Sequence, residues 1–286
     1  MPELVVSIPA PTTRRCAGRR CRRRGRVAAA LLLIVVISCV AYWPSMQGSL
    51  HLDDFDMLVN NNLAQLTPRT IISTYPTRWL VVLSLWANAR LHGTDVAGYH
   101  IVNLVLHTAN AWLVCVLTWR LWRLARRRYP RAAMVPAPHA FGVITALIFA
   151  VHPLQTQAVV YITQRFMLAA ALWYLTALWL LTREYWLGRR RWLGWGLAGV
   201  ATLAGAICKE SVITVPAVAI ALVWFWIAAP RWRVARWRHW LGLTAVLLIL
   251  VAVPLIYFLH LSHWDTRTIR RNLSGVGGPG VPMRKV

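Results

Sequence analysis

Acidic side chains are scarce in this sequence. Eight Asp and Glu stand against 32 Lys and Arg in 286 residues, a formal net charge of +24. A nucleic-acid partner would account for such a balance, but the arginines stand in clusters between apolar runs rather than along one soluble face. No nucleic-acid partner is therefore expected. Cysteine is too sparse and too scattered for a disulfide framework: the five residues are Cys16, Cys21, Cys39, Cys115 and Cys208. Cys16 and Cys21 form a C-x4-C with no second pair and no histidine beside it, which excludes a zinc module. No 34-residue period is present, so no tetratricopeptide repeat follows the apolar region. An internal repeat and charges near mid-bilayer, the marks of a transporter, are not evident either.

What the chain has in quantity is apolar surface. It is 58% hydrophobic with 17 Trp, and its mean hydropathy is +0.51. A soluble domain could not cover that much apolar area. Apolar runs near the length of a bilayer crossing recur, flanked by arginines. Trp119, Trp122, Trp186, Trp192, Trp232 and Trp237 stand beside arginines at segment ends, as in an interfacial aromatic belt. The expected fold is an all-α, multispan integral membrane helical bundle of about seven transmembrane helices. Membrane lipids are its first partners.

The spans are expected at 27–43, 98–119, 140–153, 166–182, 193–209, 212–229 and 240–260. The basic N-terminal segment 1–26 precedes a long apolar run without a clear small-x-small cleavage site, so it reads as cytoplasmic and uncleaved. Alternate crossing then places the head, 120–139, 183–192 and 230–239 on one side, and these hold 22 of the 32 cations. That satisfies the positive-inside rule and makes this a multi-pass protein of the cell (inner) membrane with its N-terminus in the cytoplasm. Residues 78–91 are short and amphipathic, and are read as a helix on the outer surface. The transmembrane domain is thus 27–260, with an outer loop at 44–97, and 261–286 is a Gly/Pro-rich flexible tail.

The scarce acids are not spread evenly. Asp53, Asp54, Asp56, Asp95, Glu210 and Asp265 all fall on the outer side, leaving Glu3 and Glu184 elsewhere. The polar strings HPLQTQ (152–157), TQR (163–165), KES (209–211) and HLSHWD (260–265) fall on the same face. An outward-facing site is the natural reading. A loop carboxylate can act as general base toward a hydroxyl, or help hold a divalent cation that neutralises a phosphate leaving group. Asp53, Asp54 and Asp56 are the metal candidates, without a complete ligand set. Neighbours in an extended loop point opposite ways, so Asp53 and Asp54 have different roles. Arg165 is a lone cation suited to phosphate oxygens, or alternatively a snorkelling interfacial arginine. Lys209 and Glu210 form either part of a site or a self-neutralising pair. His100, Asn103, His107 and Asn110 recur at i, i+3, i+7 and i+10, lining one helix face that meets neighbouring helices. Asn110 reads as interhelical glue, and His100 as close enough to the outer surface to reach a site. His152-Pro153 reads as a helix stop.

The order LDDFDMLVNN, YHIVNLVLHTANAWLV, FAVHPLQTQAVVYITQRFMLAAALWYLTALWL and CKESVITVPAV resembles the GT-C glycosyltransferase superfamily. More closely, it looks like bacterial relatives of the transmembrane and tetratricopeptide-repeat protein O-mannosyltransferases, over about residues 30–230. The resemblance implies sugar transfer from a polyprenyl-phosphate donor to a protein, glycan or lipid acceptor on the outer face. It carries the catalytic acid to Asp54 or Asp53 and the donor phosphate to Arg165 and Lys209. By the same analogy His152, Gln155 and Gln157 shape the pocket, together with Asp56, His100, Gln164 and Glu210. Relatives commonly have Arg-Pro where this chain has Arg78-Trp79, and they have more spans. The alternative is therefore a shortened or non-catalytic relative, or a subunit that works with a partner. A lipid-linked sugar transporter ranks below both.

Overall fold

The computed structural model describes residues 13–51, 53–60, 62–128, 138–187 and 191–223, with three isolated helical positions at 248, 252 and 256. Apart from those three positions the expected span 240–260 lies outside the described residues, as do 224–239, the extreme N-terminus and the tail 261–286. Among those described, every regular element is helical. The long helices are α1 (Thr13–Tyr42), α5 (Val96–Arg128) and α8 (Arg165–Leu187). Shorter ones are α2 (Asp53–Phe55), α3 (Pro68–Thr74), α4 (Trp79–His92), α6 (Pro138–Val151), α7 (Leu154–Val160), α9 (Arg191–Ala206) and α10 (Val215–Val223).

Three segments are long and apolar enough to cross a bilayer: Gly25–Gln47, Val96–Arg126 and Ile162–Thr182. They coincide with the expected first, second and fourth spans. The expected third span does not run straight. α6 has 14 residues, about 21 Å of rise, which falls short of a hydrocarbon core of about 30 Å. It meets α7 at a bend of 66°, and the pair together makes a fourth candidate crossing. Pro153 causes the break, having no N–H to continue α6. The fifth and sixth expected spans correspond to the shorter apolar stretches Trp192–Ala206 and Glu210–Leu222. The described residues thus hold three or four candidate crossings, and the expected count of about seven reaches beyond them. Large apolar side chains stand outward on these helices, among them Leu32, Val40, Val105, Ile148 and Val200. Such a surface needs lipid, which places the chain in a membrane.

α5 is the central helix, packing against α1, α4, α6, α7 and α8. Its contact with α6 relies on small residues: Ala111, Cys115, Ala146 and Ala150 are buried with Ile34 of α1. Gly142 is the closest point. A Cβ there would stand 2.7 Å from the Cys115 carbonyl oxygen and 2.9 Å from Trp119 Cβ. Small residues that let membrane helices approach cannot be enlarged without separating them. Gly142→Ala is accordingly expected to destabilise the α5–α6 pair by about 1–3 kcal/mol, read as a lowered melting temperature in detergent.

The segment 44–97 is no bare loop. Pro44 helps end α1 in a short 3₁₀ turn, Trp43–Gln47. α3 starts at Thr67, whose hydroxyl accepts from the Thr70 amide at 3.2 Å, an ordinary N-cap. α4 ends at Gly93, where a φ of 57° suits glycine alone at little cost. α4 has the bounds expected of a surface helix but is docked on one face. Its Val82 and Leu85 are fully buried with Leu63, Ile71, Tyr99 and Ile162. This second core fixes the segment between α1 and α5 onto the start of α8.

Candidate functional site

The polar stripe of α5 explains how the broken helices are tolerated. The α6–α7 break leaves backbone groups without their helical partners, and these must be satisfied away from water. The Leu154 amide donates to His152 Nδ1 at 3.2 Å, so the Ala150 carbonyl lacks its usual acceptor role within the helix. It receives instead the Tyr42 hydroxyl at 3.2 Å and pairs with His107 Nε2 at 3.0 Å. At the far end of α7, the Asn103 amide reaches the carbonyls of Val159, Tyr161 and Ile162 at 3.3, 3.4 and 3.4 Å. Asn110 donates to the Leu168 carbonyl at 3.0 Å. Asn103, His107 and Asn110 therefore serve as interhelical hydrogen-bonding groups. His100 is also fully buried, and neither of its ring nitrogens has a hydrogen-bond partner. Gly48 lies against it, since a Cβ on that glycine would be 3.4 Å from His100 Nε2.

Asp54 sits at the junction of the first loop and α8. It is completely buried, and its carboxylate accepts three backbone amides. Oδ1 takes Thr163 N–H at 2.8 Å, while Oδ2 takes His51 N–H at 3.2 Å and Ile162 N–H at 3.4 Å. An ionised carboxylate among amides at a helix start is well placed. Asp53, one residue earlier on the α2 turn, is exposed, as is Asp56. The two neighbours do point apart, though across a helical turn and not along an extended strand. With Asp54 turned inward, the three aspartates do not converge. Among the described residues no group of three or more His, Cys, Asp or Glu side chains could hold a metal ion.

Arg165 departs most from the phosphate-binding expectation. It is fully buried, and its fork is directed at protein acceptors. Nε donates to Asn103 Oδ1 at 2.9 Å. One terminal nitrogen donates to Asn88 Oδ1 at 2.8 Å and to the Ser84 carbonyl at 3.1 Å. The other donates to the Tyr99 carbonyl at 3.2 Å. The guanidinium also lies 6.0 Å from the Tyr99 ring centre. Neutral dipoles from α4 and α5 thus hold a buried cation in place.

Other expected site residues stay near the surface. Glu210 is exposed and Lys209 half-buried. Glu210 does not pair with Lys209 as the alternative reading had it. It meets Arg78 at 3.5 Å, with both side chains 47% exposed, a geometry worth at most about 1 kcal/mol. Arg78 also lies 5.7 Å from the centre of the Phe166 ring. The turn Ile162–Gln164 leading into α8 is therefore gripped by Asp54 through Ile162 and Thr163, and the first turn of α8 is approached by Arg78 at Phe166. His152 and Gln157 are exposed, and Gln155 and Gln164 half-buried. Among the described residues no hydrogen bond joins these four to Asp53, although the α2 turn packs against the turn Ile162–Gln164. Ser84, Asn88 and Arg78 were not expected at the site. The i, i+4 placement of Ser84 and Asn88 in an otherwise apolar helix was the signal that could have found them.

No protein-family model and no solved structure matches the chain. Curated relatives do. The chain is 29% identical to Protein O-mannosyl-transferase Tmtc3 of Drosophila melanogaster over 221 residues, covering 66% of this chain and 23% of that protein. It is 37% identical to Protein O-mannosyl-transferase Tmtc1 of the same species over 141 residues, 48% of this chain and 14% of that protein. With Protein O-mannosyl-transferase TMTC1 of Homo sapiens the figures are 30% over 180 residues, 54% and 18%. The matched region thus spans under a quarter of each of these relatives, which are animal proteins and not the bacterial ones expected. What the chain is similar to is thus a part, under a quarter, of proteins named O-mannosyl-transferases.

Proposed function

We propose that this chain is a glycosyltransferase of GT-C type. It moves a sugar from a polyprenyl-phosphate-linked donor to a hydroxyl of a protein acceptor, on the extracytoplasmic face of a cell membrane. The carrying observation is the pair of neighbouring acids in a chain similar to O-mannosyl-transferases. One carboxylate is tied by two amides to the turn Ile162–Gln164 that leads into α8 and by a third to its own loop at His51, and the other is exposed beside it.

That pairing supports a division of labour. Asp54 is a positioning residue that sets the loop. Asp53 is the catalytic base, taking the proton of the acceptor hydroxyl as its oxygen attacks the anomeric carbon and the lipid phosphate departs. Holding donor and acceptor together supplies several kcal/mol of the barrier. Because the Arg165 guanidinium is enclosed, the donor phosphate falls to Lys209 and to Arg78. Asp56, Gln155, Gln157, Gln164, His152 and Glu210 remain candidates for lining the path between them. A divalent cation, if used, would draw its remaining ligands from the donor phosphate.

Sugar transfer in membranes expressing the wild type and Asp53→Asn, at matched protein levels and with polyprenyl-phosphate sugars as donors, tests this. Asp53→Asn is expected to lower transfer by about 10²–10⁴-fold, the usual weight of a general base, with melting unchanged. Transfer that survives in the variant removes Asp53 from the chemistry. Absence of transfer in the wild type favours the non-catalytic or partner-dependent reading.

A further inference from the structure

Far from the Asp54 loop, α1, α5 and α6 enclose an apolar groove of about 510 Å³. Its walls are apolar side chains such as Ala30, Cys115 and Val143, and its mouth carries Arg26, Trp119 and His139. Arg123 adds a further cation, its guanidinium 5.5 Å from the centre of the Trp119 ring. No acidic side chain lines the groove. Along α5, Trp119 lies 19 residues beyond His100, about 28 Å at helical rise. The groove therefore belongs to the opposite end of the bundle from the candidate site.

Its setting points outward into lipid. Leu32 and Val36 of α1 and Ile144 and Ile148 of α6 stand exposed on the helices that form it. The chain on either side is densely basic: eight arginines precede Val27, and six more lie between residues 120 and 131. An apolar slot under a cationic and aromatic rim matches one kind of molecule, with a hydrocarbon tail and an anionic head. A free phosphate would leave the apolar wall unused, and a neutral lipid would bring no negative charge to a rim that carries Arg26 and His139 and, among the described residues, no acid. Basic pockets between membrane helices take anionic headgroups for this reason, and aromatic side chains sit at headgroup depth beside them.

We propose that this groove is a binding site for one anionic phospholipid of the surrounding bilayer. One acyl chain lies between α1, α5 and α6, and the phosphate meets Arg26, with His139 and Arg123 at the rim. The site is separate from sugar transfer, and it gives the arginine-rich end of the bundle a specific anchor beyond general surface attraction.

Full-length protein in nanodiscs of equal phosphatidylglycerol and phosphatidylcholine provides the test. Trace lipid of either headgroup with a photoreactive acyl chain is crosslinked and mapped by peptide sequencing. Phosphatidylglycerol is expected to label residues 26–31, 115–119 and 139–144 at least fivefold more than phosphatidylcholine. Arg26→Gln should lower that labelling about fivefold, the weight of one basic side chain at an anionic surface, and leave phosphatidylcholine unchanged. Ala30→Trp, which fills the slot, should remove it, with size-exclusion profiles showing both variants folded. Equal labelling by the two lipids, label elsewhere, or an unaffected Arg26→Gln overturns the proposal. So does protection of the groove by a second copy or another segment of this chain, seen as protein crosslinks in the wild type.

Discussion

Replacing Arg165 with methionine is expected to cost about 4 kcal/mol of stability, with unfolding of the detergent-solubilised protein as the measurement. The side chain is fully buried, and its removal strands Asn103 Oδ1, Asn88 Oδ1 and the carbonyls of Ser84 and Tyr99 at once. Losing one partner of a buried charged contact typically costs about 3–5 kcal/mol, because the acceptors left behind are still desolvated. Lysine should not rescue it. A single ammonium keeps the charge but cannot reach acceptors on two helices in the geometry of a planar fork. Arg165→Lys is therefore expected to keep more than half of the loss. A residue serving the donor phosphate would behave in the opposite way, leaving the melt intact and raising the KM for donor lipid.

Asp54→Ala should come next, at about 3 kcal/mol, since it leaves the buried Ile162 and Thr163 amides, and the half-buried one of His51, without an acceptor. Asp54→Asn is expected to fall between, because one oxygen is kept while the new NH₂ group faces an N–H donor. Limited proteolysis offers a second readout, with cleavage within residues 48–66 rising in both variants as the loop detaches from α8. Transfer activity should fall with the fold in Asp54→Ala, and without it in Asp53→Asn. An Asp54→Ala protein that melts like the wild type would show that the loop is held by other means.

The parts of this architecture that were legible in the sequence are those written in composition. The runs at 27–43, 98–119 and 166–182 became long helices because twenty or so apolar residues leave the backbone no other way to satisfy itself in lipid. The stripe on α5 was legible too, because a period near 3.6 states which residues share a face. What the period could not state was the partner. Asn103 and His107 answer carbonyls exposed by a bend 43 to 59 residues away, and nothing local encodes that. His152-Pro153 showed where α6 stops, but not that the chain resumes at 66°.

The misplacement of Arg165 has a similar origin. A lone cation with no acid nearby looked available for phosphate, because charge is easier to read than dipole. Its partners are neutral, and two of them lie on α4, a segment too short and too mixed to be read as anything but a surface helix. Asp54 drew notice by its place in a cluster of scarce acids, while its burial came with amides 108 and 109 residues later. Only its neighbour was left facing out.

That separation has a temporal meaning. Asp54 emerges from the ribosome 108 residues ahead of Ile162, the first amide it binds at the approach to α8, roughly 5–20 s of synthesis. Through that interval the carboxylate must stay largely in water, since of its three donors only the His51 amide has yet been made. The first loop can therefore take its final form only when α8 has been threaded into the bilayer. Assembly of the acid-bearing face is a late event, even though its key residues are among the first to be made.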